Sequence, residues 1–482
     1  MKPLNCEAMN KLIAQVVFPV AVALLLAGCA VGPNYKKPVV NTPAEFRFDA
    51  EAATNSFASL PWWEVFNDPM LQDLIHTALT NNYDLKQAAA RVEQARYQAV
   101  AAKSAFYPQV NASGDIGRGK NALFNSPADL NGNKESSAWL GLSAFWEVDF
   151  WGRVRRLSES ARAQYLATEE ARRSLTISLE SEVASIYLQL LQLDQELAIQ
   201  RAATNAYAGS YRIFSDRLER GVASKLETDR AAAALANAAA AIPGLEIQIA
   251  QLENQLNVLL GRGPGPVARQ KMEPQGFLPP EVPAGLPSDL IRRRPDVLAA
   301  EQSLIAANAN VGVNLANFFP QIGLTTLLGR ASPELSDFTA GTHNVLNIGG
   351  TFTGPIFQGG QLRAQYKAAK ARFDEAGAAY QQSVLTAMRE VSDALVARQK
   401  LAEQYVFYSD ASRALASSVE LATDRYLNGK SSYFEVLQAQ QELYPAQRAQ
   451  VQARVGEMIS VVQLYKALGG GWSPEEKTGE QK

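Results

Sequence analysis

Two stretches of the chain, residues 153–218 and 361–427, contain no proline and are built from strong helix formers. At 1.5 Å per residue, roughly 65 residues make a helix about 100 Å long, well beyond the helices of globular domains. Such a helix needs a partner along its whole side. Leu179, Ile186, Leu190, Leu193 and Leu197 recur at heptad-like spacing in the first stretch, as do Val384, Met388, Val391 and Leu395 in the second, so coiled-coil pairing is expected. The partners are the returning segments, residues 225–260 and 433–468. They are rich in alanine, notably Ala231 to Ala234 and Ala238 to Ala241, which lets backbones approach closely. Each also holds a proline, Pro243 or Pro445, expected to kink the helix or to separate two stacked segments.

The two stretches belong to an internal duplication. Phe106-Tyr107-Pro108-Gln109-Val110 recurs as Phe318-Phe319-Pro320-Gln321-Ile322 at a spacing of 212, and Asp84 matches Asp296 at the same spacing. Glu182-Val183-Ala184 matches Glu390-Val391-Ser392, Gly221 matches Gly429, Glu227 matches Glu435, and Leu260-Gly261 matches Leu468-Gly469, all 208 apart. The slip between the two spacings is what a loop-length difference in one copy produces. Each copy reads as helix, two strands, long helix, turn, long helix. The expected organisation is a leader at 1–28, an N-terminal segment at 29–70, and a first repeat at 71–263, with a leading helix from about 84 to 104, strands within 109–151 and a helix hairpin at 153–260. A Gly/Pro-rich linker at 264–286 follows, then a second repeat at 287–471 with a leading helix from about 296 to 316, strands within 321–357 and a hairpin at 361–468, and a polar tail at 472–482.

The strand segments alternate with period two. Over 139–151, Leu140, Leu142, Ala144, Trp146, Val148 and Phe150 share one face and Gly141, Ser143, Glu147 and Asp149 the other, with Phe145 as an apolar exception. In the second copy Leu346, Ile348, Phe352 and Ile356 alternate with Asn347, Gly349, Thr351 and Thr353. The shorter runs behave alike: Val110, Ala112 and Ile116 against Asn111, Ser113 and Asp115, and Ile322 and Leu324 against Gly323 and Thr325. This pattern fits a transmembrane barrel and equally a half-buried soluble sheet. In lipid, four strands cannot close around an aqueous lumen and open edges are not tolerated, so several chains would have to share one barrel. Three protomers supply twelve strands, an even number wide enough for a pore.

The N-terminus sets the compartment. Residues 12–26 form an apolar run broken only by Gln15 and Pro19, with Lys11 before it. A bilayer-spanning helix needs roughly 20 apolar residues, so the run reads as a signal-peptide core. Glu7 is out of place in a basic leader, and a start at Met9 would omit it. Leu26-Ala27-Gly28-Cys29 resembles the lipobox of bacterial lipoproteins, which implies that Cys29 becomes the first mature residue, acylated on sulfur and amine; the alternative is an ordinary signal with an incidental cysteine. Several acyl chains, at about 0.8 kcal/mol per buried CH2, make attachment effectively permanent. Cys6 lies in the removed segment, so no disulfide is expected.

Charge and composition exclude other classes. Lys+Arg number 46 against 48 Asp+Glu, so no basic surplus points to nucleic acid. Two histidines, His76 and His343, and two cysteines leave almost no material for a metal site or a nucleophile triad. No enzyme is expected, nor any cofactor beyond a covalent lipid on Cys29.

Several motifs together resemble the TolC-like outer-membrane factor family, in its lipoprotein (NodT/OprM-like) branch. They are the lipobox followed by Ala30-Val31-Gly32-Pro33-Asn34-Tyr35 and Pro38, Trp62-Trp63 followed by Asp68-Pro69 and Leu71, Arg294-Pro295-Asp296-Val297, and the junctions Asp149-Phe150-Trp151-Gly152 and Phe357-Gln358-Gly359-Gly360. The resemblance covers almost the whole chain. It implies an α + β membrane protein: a homotrimer in which a twelve-stranded barrel, four strands per protomer, continues into a twelve-helix periplasmic α-barrel with a mixed equatorial belt. The implied setting is the outer membrane, lipid-anchored and extending into the periplasm. The implied role is the passive exit duct of a tripartite efflux system for drugs or other small molecules, with a periplasmic adaptor and an inner-membrane transporter of the RND type as partners. The exit duct of a type I protein-secretion system and a non-conducting lipid-anchored coiled-coil scaffold remain alternatives.

The periplasmic hairpin turns, residues 217–224 and 425–432, are where such a duct would open and dock. Gly221 and Gly429 suit the αL residue that ends a helix, and Ser224 and Ser432 suit the N-caps that follow. Glu227, Asp229 and Glu435, repeated by threefold symmetry, would ring the pore with negative charge and favour cations. The resemblance adds Tyr426 and Glu435 as gate positions. The sequence departs from the family pattern at Ser431, where a charge is often found, and at Gln438, where a second acid can occur. Replacing Cys29 with Ser is expected to abolish acylation; an unchanged mature mass would refute the lipobox.

Overall fold

The computed structural model describes residues 30–40, 68–120, 134–270, 292–332, 338 and 344–470. The leader, Cys29, Trp62-Trp63, most of the 264–286 linker, His343 and the 472–482 tail lie outside the described residues. The chain divides into two compact units. One takes residues 1–39, 91–168 and 300–380 and holds the strands with the first turns of both long helices; the other takes residues 40–90, 169–299 and 381–482 and holds the rest of the helical hairpins.

The first copy contains α1 (Pro69–Asn81), α2 (Tyr83–Ser104), β1 (Gln109–Lys120), β2 (Lys134–Val148), α3 (Arg153–Glu219) and α4 (Lys225–Leu259). The second contains α5 (Pro295–Ala316), β3 (Gln321–Ser332), β4 (Asn344–Thr353), α6 (Gln361–Leu427) and α7 (Tyr433–Ala467). The helices α3 and α6 are each 67 residues long. Of the two outcomes expected at the prolines, separation into two stacked segments does not occur, because α4 and α7 each run unbroken through their proline for 35 residues. A proline removes one N–H from the ladder, and packing along the rest of the helix holds it together. The sequence pattern also passes over α1, which begins at Asp68-Pro69. Asp68 Oδ1 accepts from the N–H groups of Met70 at 2.9 Å and Leu71 at 3.3 Å, and Pro69 at the first helical position has no N–H to satisfy.

The strands form one antiparallel sheet in the order β1-β2-β3-β4. Its register unites the alternations. Leu142 stands opposite Ala112 and Leu328, and Leu328 opposite Leu346; Ala144 stands opposite Val110 and Thr326, and Thr326 opposite Ile348. Leu324 and Phe352 extend the same face, so one side of the sheet is apolar across all four strands, and most of its large side chains are exposed. The other face carries Asn111, Ser113, Asp115, Ser143, Glu147, Thr325, Asn347 and Thr351. At the strand ends, Trp151 stacks on Phe319 at 4.6 Å and donates from Nε1 to the Pro320 carbonyl at 2.8 Å, while Trp146 donates to the Phe106 carbonyl at 3.0 Å. Aromatic side chains grouped at this level are what a bilayer interface selects.

The same unit shows what the Gly-Pro-Asn-Tyr motif does. Val31 N–H donates to the Trp151 carbonyl at 2.9 Å, Asn308 donates to the Pro33 carbonyl at 2.9 Å, and Arg156 donates to Asn34 at 2.6 Å. Glu301 accepts from Tyr35 at 3.2 Å and Lys37 at 2.7 Å. Gly32 lies against Gly312 so closely that an added Cβ would sit 2.6 Å from the Gly312 Cα. The N-terminal segment is thereby strapped to α3 and α5.

In the helical unit, the heptad residues Leu179, Ile186, Leu190, Leu193 and Leu197 join a buried core with Leu71 and Leu74 of α1, Leu256 of α4 and Met458 and Leu464 of α7. Tyr187, fully buried there, donates to Asp68 Oδ2 at 2.8 Å. The duplication reappears as a repeated joint. Asn82 donates to the Leu259 carbonyl at 2.9 Å, and Arg294 donates to the Ala467 carbonyl at 2.9 Å. Arg294 matches Asn82 at the 212 spacing, and Ala467 matches Leu259 at the 208 spacing. Gly261 lies against Asn81 as Gly469 lies against Arg293. In both copies a side chain just before the leading helix satisfies a carbonyl at the end of the return helix. Arg294 does more, since it also binds Asp296 at 2.6 Å and Glu390 at 2.7 Å while itself buried. Arg294→Met is expected to cost about 3 kcal/mol, because two carboxylates lose their partner. Asn82→Ala is expected to cost about 1 kcal/mol. Thermal unfolding checks the pair, and an equal loss from both would contradict this account of the joint.

Candidate functional site

The two hairpin turns lie in the helical unit and are built alike. Helix α3 ends with Gly221 N–H on the Leu218 carbonyl at 2.9 Å and Val222 N–H on the Arg217 carbonyl at 2.8 Å. Helix α6 repeats this with Gly429 on Tyr426 at 2.9 Å and Lys430 on Arg425 at 2.8 Å. These paired bonds are the Schellman arrangement, and they require a left-handed residue, here Gly221 at φ 70° and Gly429 at φ 68°.

The caps that follow are not alike. Ser224 and Glu227 form a capping box: Glu227 N–H donates to Ser224 Oγ at 3.3 Å, and Ser224 N–H donates to Glu227 Oε2 at 2.9 Å. Ser432 has the same extended backbone but makes no side-chain cap bond, and Glu435 N–H reaches the Ser432 carbonyl instead at 3.3 Å. The two matched acids therefore have different duties. Glu227 is bound to its own helix start, while Glu435 is exposed and lies 3.9 Å from Arg425. Asp229 is exposed and makes no ion pair among the described residues.

Tyr426 joins the two hairpins. Its hydroxyl accepts a hydrogen bond from Arg217, whose guanidinium also lies 5.2 Å from the Tyr426 ring centre. The ring meets Tyr433 edge-on at 5.6 Å, and Tyr433 packs on Phe214 at 4.3 Å. Around them Ala203, Tyr207, Ala231, Ala234, Ala238 and Ala422 complete a small core, in which the alanines of α4 admit the rings. Burial, with Tyr444 and Tyr433 nearby, pushes the Tyr207 hydroxyl up to about 12, and burial raises Tyr433 too. A raised tyrosine favours the folded state below its ordinary value near 10, and that contribution is lost as pH rises through the folded value. Tyr207 and Tyr433 thus remain protonated at physiological pH.

The structure brings Tyr426, Ser431, Glu435, Glu227 and Asp229 to one end of the hairpins. Sequence reading missed Arg217, Arg425, Phe214 and Tyr433 as partners. The arginines carried a signal, since they match at the 208 spacing; the rings did not, because Phe214 matches Ala422 and Tyr433 matches Lys225.

The family profile described as outer membrane efflux protein matches residues 74–262 and 286–470, one segment for each copy. The chain belongs to this family. It is an outer-membrane efflux channel, the exit component of a tripartite pump, in a family of channels and not of enzymes. Over 470 residues it is 37% identical to the toluene efflux pump outer membrane protein TtgC of Pseudomonas putida, covering 95% of each chain. It is 32% identical over 459 residues to the cation efflux system protein CusC of Escherichia coli, covering 94% of this chain and 99% of that one. The CmeC outer membrane channel of Campylobacter jejuni has a similar structure, with a TM-score of 0.86 and 29% identity over 93% of this chain and 96% of that one.

The unequal caps give the family fold here a measurable asymmetry. Ser224→Ala is expected to cost about 1 kcal/mol at the start of α4. Ser432→Ala is expected to change little at the start of α7. Amide hydrogen exchange at Thr228 and Val436 reads the difference, and equal deprotection would refute it.

Proposed function

We propose that three copies of this chain close one twelve-stranded outer-membrane barrel and continue it as a twelve-helix periplasmic duct, through which small molecules leave passively. The observation that carries this reading is the sheet. It has an apolar face running across four strands, a polar opposite face, and edges at β1 and β4 that pair with nothing among the described residues. Bare edges are not tolerated in lipid, and identical copies set edge to edge remove them. The return helix α4 supports the same assembly. It is apolar enough along its length to cross a membrane, yet only 11% of its most apolar window is buried within one chain. Alanine-rich surface of that kind suits a wall of closely packed helices.

The segment 1–28 acts in this reading as a removed leader, and Cys29 carries the lipid. Ala30 lies against Gly152, beside the Trp151 and Phe319 rings, which favours an anchor entering the membrane next to the barrel wall.

The tip is the working end. The turns at Gly221, Ser224, Gly429 and Ser432 dock a periplasmic adaptor, which joins the homotrimer to an inner-membrane transporter of the RND type. Val222 and Leu427, largely exposed beside these turns, supply apolar contact for it. Tyr426, Glu435, Glu227, Asp229 and Ser431 form the constriction. The Ser431 hydroxyl is buried without a hydrogen-bond partner among the described residues, which favours a partner from a neighbouring copy. Relatives named for toluene and for cations support small-molecule export without fixing the cargo. Replacing Tyr426 with Phe and Glu435 with Gln together is expected to raise single-channel conductance severalfold and to sensitise cells to antibiotics. A double variant that conducts like the wild type would remove the gate assignment.

A further inference from the structure

The polar face of the sheet carries two large aromatic side chains, Trp139 and Phe145, among small and polar neighbours. Trp139 stands opposite Asp115, and the next pair on that face sets Gly141 opposite both Ser113 and Gly329. The indole lies across this glycine pair. A Cβ on Gly141 would come within 2.3 Å of Trp139 Cη2, and one on Gly329 within 2.8 Å of the same atom. Its Nε1 donates to Ser113 Oγ at 3.4 Å. Two facing glycines thus form a seat for the ring against the backbone. Covering bare glycine accounts for the ring. It does not account for Asp115, which is exposed beside it and has no ion pair among the described residues.

We propose that Trp139 and Asp115 form a weak binding site for planar organic cations inside the channel, an inference that rests on the polar face lining the lumen. Directly opposed residues on one face of a sheet have β-carbons about 4.5–5.5 Å apart, so one ligand can meet both. The ring's quadrupole and the carboxylate's full charge attract the same kind of solute, and a flat one presents the most surface to the indole. Neutral solutes gain only stacking, and anions are repelled. Phe145 provides an internal comparison. It too lies over a glycine, since a Cβ on Gly323 would sit 2.6 Å from Phe145 Cε2. The carboxylate on its side, Glu147, is already neutralised by Arg153 at 2.6 Å.

The test is single-channel recording of the full-length lipoprotein in planar bilayers, with ethidium as the planar cation. In the wild type, ethidium is expected to block the potassium chloride current reversibly. Trp139→Ala and Asp115→Asn are each expected to weaken the block about fivefold, the scale of one exposed cation–π contact. Phe145→Ala is expected to leave it within about twofold, given that pairing of Glu147. Absence of block in a conducting wild type, unchanged block in the first two variants, or equal weakening in all three would overturn the site. A wild type that conducts no ions overturns the lumen reading itself, which separates the two failures. Asp115→Asn preserves size and shape, so it carries the test if Trp139→Ala does not assemble.

Discussion

Inside a bilayer there is no water to bind a peptide N–H or C=O, so every such group must find a partner in protein. The central strands β2 and β3 have neighbours on both sides, whereas β1 and β4 have one each. A four-stranded sheet with an apolar face is therefore an incomplete object, and its completion by other copies is the assembly proposed above. The alternation of side chains follows from the same condition. Once a strand is paired in a curved wall, its period of two sends successive residues to lipid and to lumen, and a one-residue slip would exchange them. The register that sets Leu142 against Ala112 and Leu328 is thus tied to what the face must touch.

Long helices raise the opposite difficulty, since a coiled seam has many near-equivalent registers. Arginines paired with carboxylates mark particular positions beside it. Arg269 reaches Asp194 at 2.8 Å and Glu253 at 2.6 Å, Arg448 reaches the buried Glu196 at 3.0 Å, and Arg294 ties Glu390 to the end of α7. Such pairs add little net stability because the desolvation of both charges opposes their attraction. Breaking one by misalignment is expensive, however, so they favour a single alignment of α3 with α4, α6 and α7.

The two copies differ at their hairpin turns. Their turns share the same glycine geometry, but only the first has a capping box, and the ring cluster takes Tyr426 and Tyr433 from the second hairpin against Tyr207 and Phe214 from the first. The first hairpin is closed on itself through Ser224 and Glu227. The second has no such box, keeps Glu435 near Arg425, and is held to the first by Tyr426 on Arg217.

Much of this was legible from residues alone. The proline-free stretches, the heptad leucines, the matched Pro-Gln motifs and the period-two runs specify helices and strands because each is a local rule about backbone and burial. Gly221 and Gly429 were readable for the same reason, since a left-handed turn tolerates little else. Helix α1 was signalled by Asp68-Pro69 and passed over, and of the two readings of the prolines in α4 and α7, a kink or a split into two segments, the split does not occur. What only the tertiary structure decided are meetings between distant residues: Arg217 with Tyr426, Asn34 with Arg156, Trp139 with a glycine pair drawn from two strands, and the joint where Arg294 takes the place of Asn82. No periodicity records these. They depend on how helices and strands far apart in the chain are brought side by side, and a one-dimensional pattern fixes the face a residue occupies but not the partner it finds there.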